Sequence, residues 1–337
     1  MSVLPSRELG TTGVAVTTLG FGGASLGNLY RETSDAEAAG AVERAWDRGI
    51  RYFDTAPHYG LGLSERRLGA ALRGVRRDDV VLSTKVGRML VPNSIPTVRD
   101  TEGFAVPGDL VRRWDFSRDG ILASLEQSLA RLGTDRIDVA YAHDPDQCSP
   151  GSAREALETL RDLQRQGAIG AIGVGTNAVE GLRELIDDGL LDVIMLAGRY
   201  TLLEQPALSA VLEPARQAGV SVVAVGVFNS GLLASARPRQ DAKYDYGDAP
   251  AHIIERARRI AELCEAHGVD LPTAALAFPL LHPAVVNVTV GIRTATQADE
   301  NADRFQTHVP GALWSDLVAE GLLDSLTVPS EPIREES

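Results

Sequence analysis

The stretch Gly49-Ile50-Arg51-Tyr52-Phe53-Asp54-Thr55-Ala56-Pro57-His58-Tyr59-Gly60 decides how this chain is read. A short apolar strand ends on a carboxylate, Asp54. A phenol, Tyr59, follows five residues later in a loop broken by Pro57 and Gly60. Two later strands end in the same manner. Val80-Val81-Leu82-Ser83-Thr84-Lys85 closes on an ammonium, and Ile137-Asp138-Val139-Ala140-Tyr141-Ala142-His143 closes on an imidazole followed by Asp144-Pro145.

Outward from these segments, short apolar runs alternate with amphipathic ones. Strands are expected at 14–21, 52–54, 80–85, 137–142, 168–174, 192–196, 220–227 and 286–290. Helices are expected at 34–48, 64–72, 117–132, 152–166, 179–188, 207–218 and 251–267. Ser34, Ser117 and Ser152 suit helix N-caps. Gly49, Gly133, Gly167, Gly189, Gly219 and Gly268 stand where helices must stop. The strands are apolar on both parities, as when both faces are buried. Alternation of this kind implies parallel strands joined by right-handed crossovers. Eight of them suggest an α/β fold of (β/α)8 TIM-barrel type, with an open doubly wound sheet as the runner-up. No Pro- or Ser-rich linker divides the chain, so one domain is expected over 1–327, with a polar tail at 328–337.

Two insertions interrupt the rhythm. Residues 87–115 carry Pro92, Pro96, Pro107 and Gly108 with Phe104 and Trp114; residues 229–250 carry Tyr244 and Tyr246. Both follow strands, so in a barrel both overhang the rim that holds active sites. Trp114, Phe116 and Phe228 are candidates for an apolar substrate wall.

The composition is ordinary for a globular protein, with 44% hydrophobic and 23% charged residues. A net charge of −13 argues against nucleic acid or an anionic membrane as a partner. An anionic cofactor still fits a locally basic pocket. Cys148 and Cys264 make no disulfide framework. There is no signal pattern, and no apolar run approaches the roughly 18 residues of a membrane span. A cytoplasmic protein is the expectation. The six histidines are scattered and no His-x-x-x-His spacing occurs, so no metal site is expected.

The strand ends share one chemistry. A free tyrosine has a pKa of about 10 and is a poor base at neutral pH. A nearby ammonium favours its phenolate. Lys85 can supply that charge and Asp54 can orient Lys85. Tyr59 can then exchange a proton with a substrate oxygen, while His143 donates to that oxygen. Such a tetrad needs a hydride carrier, which points to a nicotinamide cofactor.

These segments, in this order, resemble the aldo-keto reductase superfamily over nearly the whole chain. The resemblance implies a (β/α)8 barrel closed at its base by an N-terminal β-hairpin, here 7–16, and the tetrad Asp54, Tyr59, Lys85 and His143. Ala197–Gln205 and Gly226–Leu233 are similar to the bacterial aldose 1-dehydrogenase branch, which includes L-fucose, D-threo-aldose and D-galactose dehydrogenases and a pyridoxal 4-dehydrogenase. That likeness implies oxidation of a sugar hemiacetal at C1 to a lactone. The alternatives are a broad NADPH-dependent aldehyde or ketone reductase, a pyridoxal-type dehydrogenase, a nicotinamide-binding regulatory subunit, and a barrel lyase or isomerase.

Neither Gly20-Phe21-Gly22-Gly23 nor Gly173-Val174-Gly175-Thr176-Asn177 is a dinucleotide fingerprint, yet both fall on the expected rim, so Gly22 and Gly23 are cofactor candidates. The resemblance implies that Thr176 or Asn177 holds the nicotinamide carboxamide and that Tyr200 stacks on the ring. Ala197 stands where the family typically has Gln. Gly226, Phe228 and Ser230 form a loop whose backbone can hold a pyrophosphate. Gly291 and Arg293 precede a helix through Gln297 and Asn301, an anion-binding arrangement. The Lys near Gly291 and Arg near Gln297 typical of NADP-selective relatives are missing. Arg293 is left to meet a 2′-phosphate or the adenine. NAD or NADP is therefore expected, with NAD favoured, and a small sugar or aldehyde as substrate. The sequence assigns no oligomeric state.

Overall fold

The computed structural model describes residues 4–149, 151–245 and 247–327. Tyr246 and the expected tail at 328–337 lie outside the described residues. The chain opens with an antiparallel pair, β1 (Ser6–Glu8) and β2 (Ala15–Thr17). Then come β3 (Leu19–Gly22), α1 (Asp35–Asp47), β4 (Tyr52–Asp54), α2 (Leu63–Ala71) and β5 (Val81–Val86). A second antiparallel pair, β6 (Arg88–Thr97) and β7 (Gly108–Trp114), leads into α3 (Arg118–Leu132), β8 (Ile137–His143), α4 (Ser152–Arg165) and β9 (Ile169–Thr176). The remainder is α5 (Leu182–Asp187), β10 (Val193–Ala197), α6 (Glu213–Ala218), β11 (Ser221–Val225), the small pair β12 (Lys243–Tyr244) and β13 (Gly247–Asp248), α7 (Ala251–Ala266), α8 (Leu271–Ala277), β14 (Val285–Gly291), α9 (Ala295–Gln306) and α10 (Gly311–Ala319).

Eight parallel strands close in the order β3-β4-β5-β8-β9-β10-β11-β14, with β14 returning beside β3. This is the (β/α)8 barrel. The strand expected at 14–21 is two strands. Its first half belongs to the hairpin and its second half to the barrel wall, because the chain turns at Thr18, whose N–H donates to the Pro5 carbonyl at 2.8 Å. The hairpin closes the barrel's N-terminal end. Leu9 and Val16 are fully buried against Tyr52, Tyr141, Val193 and Val223 in the barrel interior. Arg7 donates to the Val285 carbonyl and Gly10 N–H to Ser221 Oγ, tying the hairpin to the wall.

Ser34 caps α1 through a reciprocal box with Glu37, and Ser117 caps α3. Ser152 instead starts α4, with Gly151 as its cap. The helix expected at 207–218 begins as a π-turn at Leu208–Leu212 and becomes α only from Glu213. Residues 87–115, expected as a long loop, form the β6–β7 hairpin. Its far end is held to the first barrel loop by Tyr30 N–H to the Gly103 carbonyl (2.8 Å) and by Asn28 Nδ2 to the Ala105 carbonyl (3.1 Å).

Several strand contacts are too close for a side chain. A Cβ at Gly173 would lie 1.8 Å from the Val193 carbonyl oxygen of the neighbouring strand. Gly173→Ala must push two wall strands apart and is expected to destabilise the fold by at least the roughly 1–3 kcal/mol of an overpacked core. A fall in the urea midpoint checks this; an unchanged midpoint refutes it.

Candidate active site

Adjacent strand ends bring the chemistry together. On the barrel wall Asp54 pairs with Ser83, Lys85 with Tyr141, and His143 with Gly175. Thr55 N–H donates to the Ser83 carbonyl at 3.0 Å, so the chain leaves β4 still attached to β5. The loop carrying Tyr59 is pressed onto the turn after β3. A Cβ on Gly27 would stand 2.5 Å from the Tyr59 carbonyl carbon, and one on Gly60 would stand 2.2 Å from the Gly27 oxygen. Gly60 also holds φ +63°, a left-handed conformation that glycine tolerates. This mutual glycine contact sets where Tyr59 enters the site, and Gly27 was not singled out from sequence.

Lys85 Nζ donates to Asp54 Oδ2 at 2.6 Å and to the Thr55 carbonyl at 3.0 Å. It stands 4.7 Å from the centroid of the Tyr59 ring. His143 packs edge-on to Tyr59 with ring centroids 6.1 Å apart. The four residues of the expected tetrad therefore meet in one place. Burial by itself would lower the Lys85 ammonium, but Asp54 and Tyr59 more than reverse this, so Lys85 stays charged. Burial holds the Asp54 carboxyl above its usual range against the pull of Lys85. Burial also lifts the Tyr59 phenol above its ordinary value; Lys85 lowers it and Asp54 raises it. The net direction at Tyr59 is thus opposite to the expectation drawn from Lys85 alone, because desolvation outweighs one ammonium. Burial and the Arg88 and Lys85 cations push His143 well down, so it is a neutral hydrogen-bonding group.

Tyr59, Lys85 and His143 border a cleft of about 540 Å³ at the C-terminal rim, with Asp54 bound to Lys85 beside it. Its lining includes the apolar Leu29 and Phe104 and the polar Arg88, Glu102, Asp144 and Gln147. Arg88 pairs with Asp144 and faces Glu102 at 3.6 Å. Arg112 bonds Asp100 and also donates to the His58 carbonyl at 2.8 Å, locking the β6–β7 hairpin to the catalytic loop. His58, beside Tyr59 in the opening motif, lines the cleft with its ring against Phe104 and His143. Its place next to Tyr59 was the only sequence signal for it. A larger groove of about 760 Å³ lies at Gly69, Leu129 and Gly133, between α2 and α3 and away from every strand-end group.

A second cavity of about 350 Å³ adjoins the first, and Asn177 and Ala197 line both. Gly226, Phe228, Ser230 and Gly291, cofactor candidates from sequence, line it. Thr176 borders the first cleft, but its hydroxyl donates to Asp146 at 2.6 Å. Asn177 stands at the junction, so it is the better placed of the two carboxamide candidates. Asn229 Oδ1 and His143 Nδ1 are buried without partners. Asn229, Ser230 and Gly231 hold positive φ in a turn closed by Asn229 N–H to the Gly226 carbonyl and Gly231 N–H to the Phe228 carbonyl. Arg199 lines the same cavity, paired with Asp245 at 3.4 Å, and Glu204 lines it too. The orphaned atoms of His143 and Asn229, one in each cavity, leave hydrogen-bonding positions that a bound dinucleotide would fill.

Other candidates are placed elsewhere. Gly22 and Gly23 line neither cavity; a Cβ on Gly23 would lie 2.7 Å from the Asp54 carbonyl and one on Gly22 3.1 Å from that of Val290, so both serve close packing. Tyr200 is buried behind β10 against Phe278 at 5.0 Å, because the chain turns inward after Arg199, and it cannot stack on a ligand in the cavity. Arg293 donates to the carbonyls of Leu29 and Arg31 and to Thr33 Oγ1, so its guanidinium anchors the 29–33 turn. Gln297 Oε1 accepts from Arg293 N–H, and Asn301 is buried on α9; neither lines the cavity. Trp114 stacks on Phe116 and beneath the Arg88 guanidinium, while Phe116 fills the space beside Gly87. Neither aromatic lines the cleft; Phe104 does. Among the described residues no helix is long and apolar enough to cross a membrane.

Residues 18–317 match the Aldo/keto reductase family, and the chain belongs to that family of NAD(P)H-dependent oxidoreductases. A D-threo-aldose 1-dehydrogenase from Pseudomonas sp is 47% identical over 92% of this chain and 96% of its own length. A pyridoxal 4-dehydrogenase from Microbacterium luteolum is 38% identical over 94% of this chain and 97% of its own. Among solved structures, the holo form of an aldo-keto reductase from Bacillus halodurans has a TM-score of 0.72 at 26% identity, covering 98% of this chain and 99% of that one. A glycerol dehydrogenase from Gluconobacter oxydans, at 22% identity and a TM-score of 0.75 over 98% of both chains, shares the fold.

The electrostatics carry a pH consequence. Burial, with Arg88 and Arg112 nearby, pushes the His58 imidazole down to about 2. The unfolded chain protonates His58 near its ordinary value of about 6.5 and the folded chain does not. The unfolded state then binds more protons, so stability falls as pH drops below that value. His58→Gln is expected to shrink the loss of urea midpoint between neutral and mildly acidic pH. An unchanged slope would show that His58 titrates normally in the folded protein.

Proposed function

We propose that this protein is an NAD-preferring aldose 1-dehydrogenase. The observation that carries the reading is the juxtaposition of Tyr59, the Lys85–Asp54 pair and His143 with a cleft whose lining mixes charged and apolar side chains. A cyclic aldose presents a hemiacetal hydroxyl at C1 and further hydroxyls around the ring. Glu102, Asp144 and Arg88 offer acceptors and donors for those hydroxyls, and Leu29 and Phe104 offer an apolar face. The likeness to the D-threo-aldose enzyme supports the same substrate class.

Tyr59 takes the proton of the C1 hydroxyl as the C1–H bond breaks. NAD, when bound, supplies the chemistry of a hydride acceptor at C1. Lys85 stabilises the phenolate form of Tyr59, and Asp54 keeps Lys85 charged and aimed. His143, neutral, holds the C1 oxygen by a hydrogen bond. The oxygen lone pair forms the carbonyl, and the product is a lactone. Asn177, Arg199 and the 226–231 loop are the residues assigned to the cofactor.

NAD preference is supported by what stands at the positions where NADP-selective relatives carry a cation. Gly291 and Gln297 carry no charge, and Arg293 is engaged by backbone carbonyls. A kcat/KM higher with NADP than with NAD would overturn this preference.

Tyr59→Phe is expected to lower kcat by about a hundredfold or more, in the range of a lost general base, with NAD binding retained. Near-normal turnover would remove Tyr59 from the proton-transfer role. Glu102→Gln is expected to raise KM for the aldose severalfold while kcat and the KM for NAD hold. The first assay is oxidation of L-fucose, D-arabinose, L-galactose, D-galactose, L-rhamnose and pyridoxal with each cofactor. Lactone formation from one sugar supports the reading. No oxidation, with ready NADPH-dependent reduction of simple aldehydes, refutes it.

A further inference from the structure

Beneath the Asp54–Lys85 pair, three hydroxyls continue into the barrel interior. Ser83 Oγ lies 2.7 Å from Asp54 Oδ1 and 3.0 Å from the Tyr52 hydroxyl, which lies 3.0 Å from that of Tyr141. Tyr52, Tyr141 and Ser83 are fully buried. Counting protons gives the row a direction. An ionised Asp54 only accepts, so the single Ser83 proton goes to Asp54 Oδ1. Ser83 then has no proton for Tyr52, and their contact is filled by the Tyr52 proton. Tyr52 has in turn none for Tyr141, so Tyr141 donates to Tyr52. The order is Tyr141 to Tyr52 to Ser83 to Asp54. Every dipole points at the carboxylate, and each bond polarises the next.

We propose that Ser83, Tyr52 and Tyr141 are positioning residues that keep Asp54 ionised in a dry site, and through it keep Lys85 charged beside Tyr59. This rests on the reading of Tyr59 and Lys85 given above. The barrel layers suit the role. The three side chains come from β4, β5 and β8, the same strands that deliver Asp54, Lys85 and His143 to the rim. A purely apolar filling of these positions would leave Asp54 Oδ1 without a donor in a site that water does not reach. Burial raises Tyr52 and Tyr141 far from any ionisation at working pH, so the row acts by hydrogen bonding and not by its own charge. The other titratable groups around the pair are Tyr59, His58 and His143 at the rim, with Asp144, Arg88 and Arg112 farther along it.

The test is a set of variants read for kcat against pH and for the infrared absorption of a protonated carboxyl in the intact protein. Ser83→Ala is expected to lower kcat by about tenfold or more, as for a lost bond to a charged group, to move the acid limb of the oxidation profile to higher pH, and to leave the KM for NAD unchanged. Tyr52→Phe and Tyr141→Phe, which keep shape, are expected to do the same in diminishing degree. Because the row is serial, Ser83→Ala with Tyr52→Phe is expected to be no worse than Ser83→Ala alone. A protonated-carboxyl band, absent when Asp54→Asn is added, is expected to appear at lower proton concentration in Ser83→Ala than in the parent. Additive losses with an unmoved pH profile and an unmoved infrared band would show packing alone and overturn the proposal. If Tyr59→Phe kept its turnover, the reading of Tyr59 would fall while the infrared result still judged the row, since that readout needs no turnover.

Discussion

The ion pair between Lys85 and Asp54, 2.6 Å apart and almost wholly buried, is the interaction on which the rest of the site depends. A pair removed from water is not a source of stability by itself, because desolvation of two charges can exceed their attraction. It persists here because the leftover valences are filled. Lys85 also reaches the Thr55 carbonyl, and Asp54 Oδ1 has Ser83. Losing either partner would strand a charge at a cost of roughly 3–5 kcal/mol. The fold therefore bears an energetic liability at the point where its chemistry is expected, and the barrel interior is arranged to limit it.

The backbone imposes a second constraint on the same residues. Tyr59 can approach Lys85 only if its loop lies flat on the turn after β3, and that approach requires both Gly27 and Gly60 to lack a side chain. The turn is in turn held from outside. Arg67 donates to the Leu26 and Thr33 carbonyls, and Arg293 donates to those of Leu29 and Arg31. Two guanidiniums thus brace the segment, Arg67 from α2 and Arg293 from the turn before α9. A cation that sequence would assign to a phosphate is instead part of the scaffold that places the phenol.

This contrast shows what was legible in the chain and what was not. The barrel and the meeting of Asp54, Tyr59, Lys85 and His143 follow from strand periodicity and strand ends, because a parallel barrel delivers every strand terminus to one rim. Strand periodicity does not say where a chain goes after it leaves the rim. Tyr200 lies three residues beyond β10 and turns into the core; Arg199, one residue earlier, faces the cavity. Arg293 carries the right charge at a helix start, yet nearby carbonyls claim it. The β6–β7 insertion reads as a loop because Pro92, Pro96 and Pro107 interrupt it, but the ladder runs regularly from Arg88–Trp114 to Pro92–Leu110, since a two-stranded pair leaves each strand an unpaired edge that tolerates proline. Phe104, not Trp114, therefore reaches the cleft.

The separation of these layers has a consequence for how such a protein changes substrate. Asp54, Lys85 and His143 sit at the ends of barrel strands, and Tyr59 sits on the loop after β4. Glu102 and Phe104, which line the cleft, sit on a hairpin attached mainly at Arg112 and at the 28–30 turn. Changes at the hairpin alter the cleft wall without touching the Asp54–Lys85 pair. Changes in the barrel interior alter the pair without touching the wall. Under the proposed function, reaction type is held by one set of residues and substrate choice by another, which is how one barrel architecture can support different substrates. The two sets meet at the loop that carries Tyr59: the His58 carbonyl accepts from Arg112, and the His58 ring lies against Phe104 and beside Arg88 and Glu102, so a wall that moves also moves the phenol.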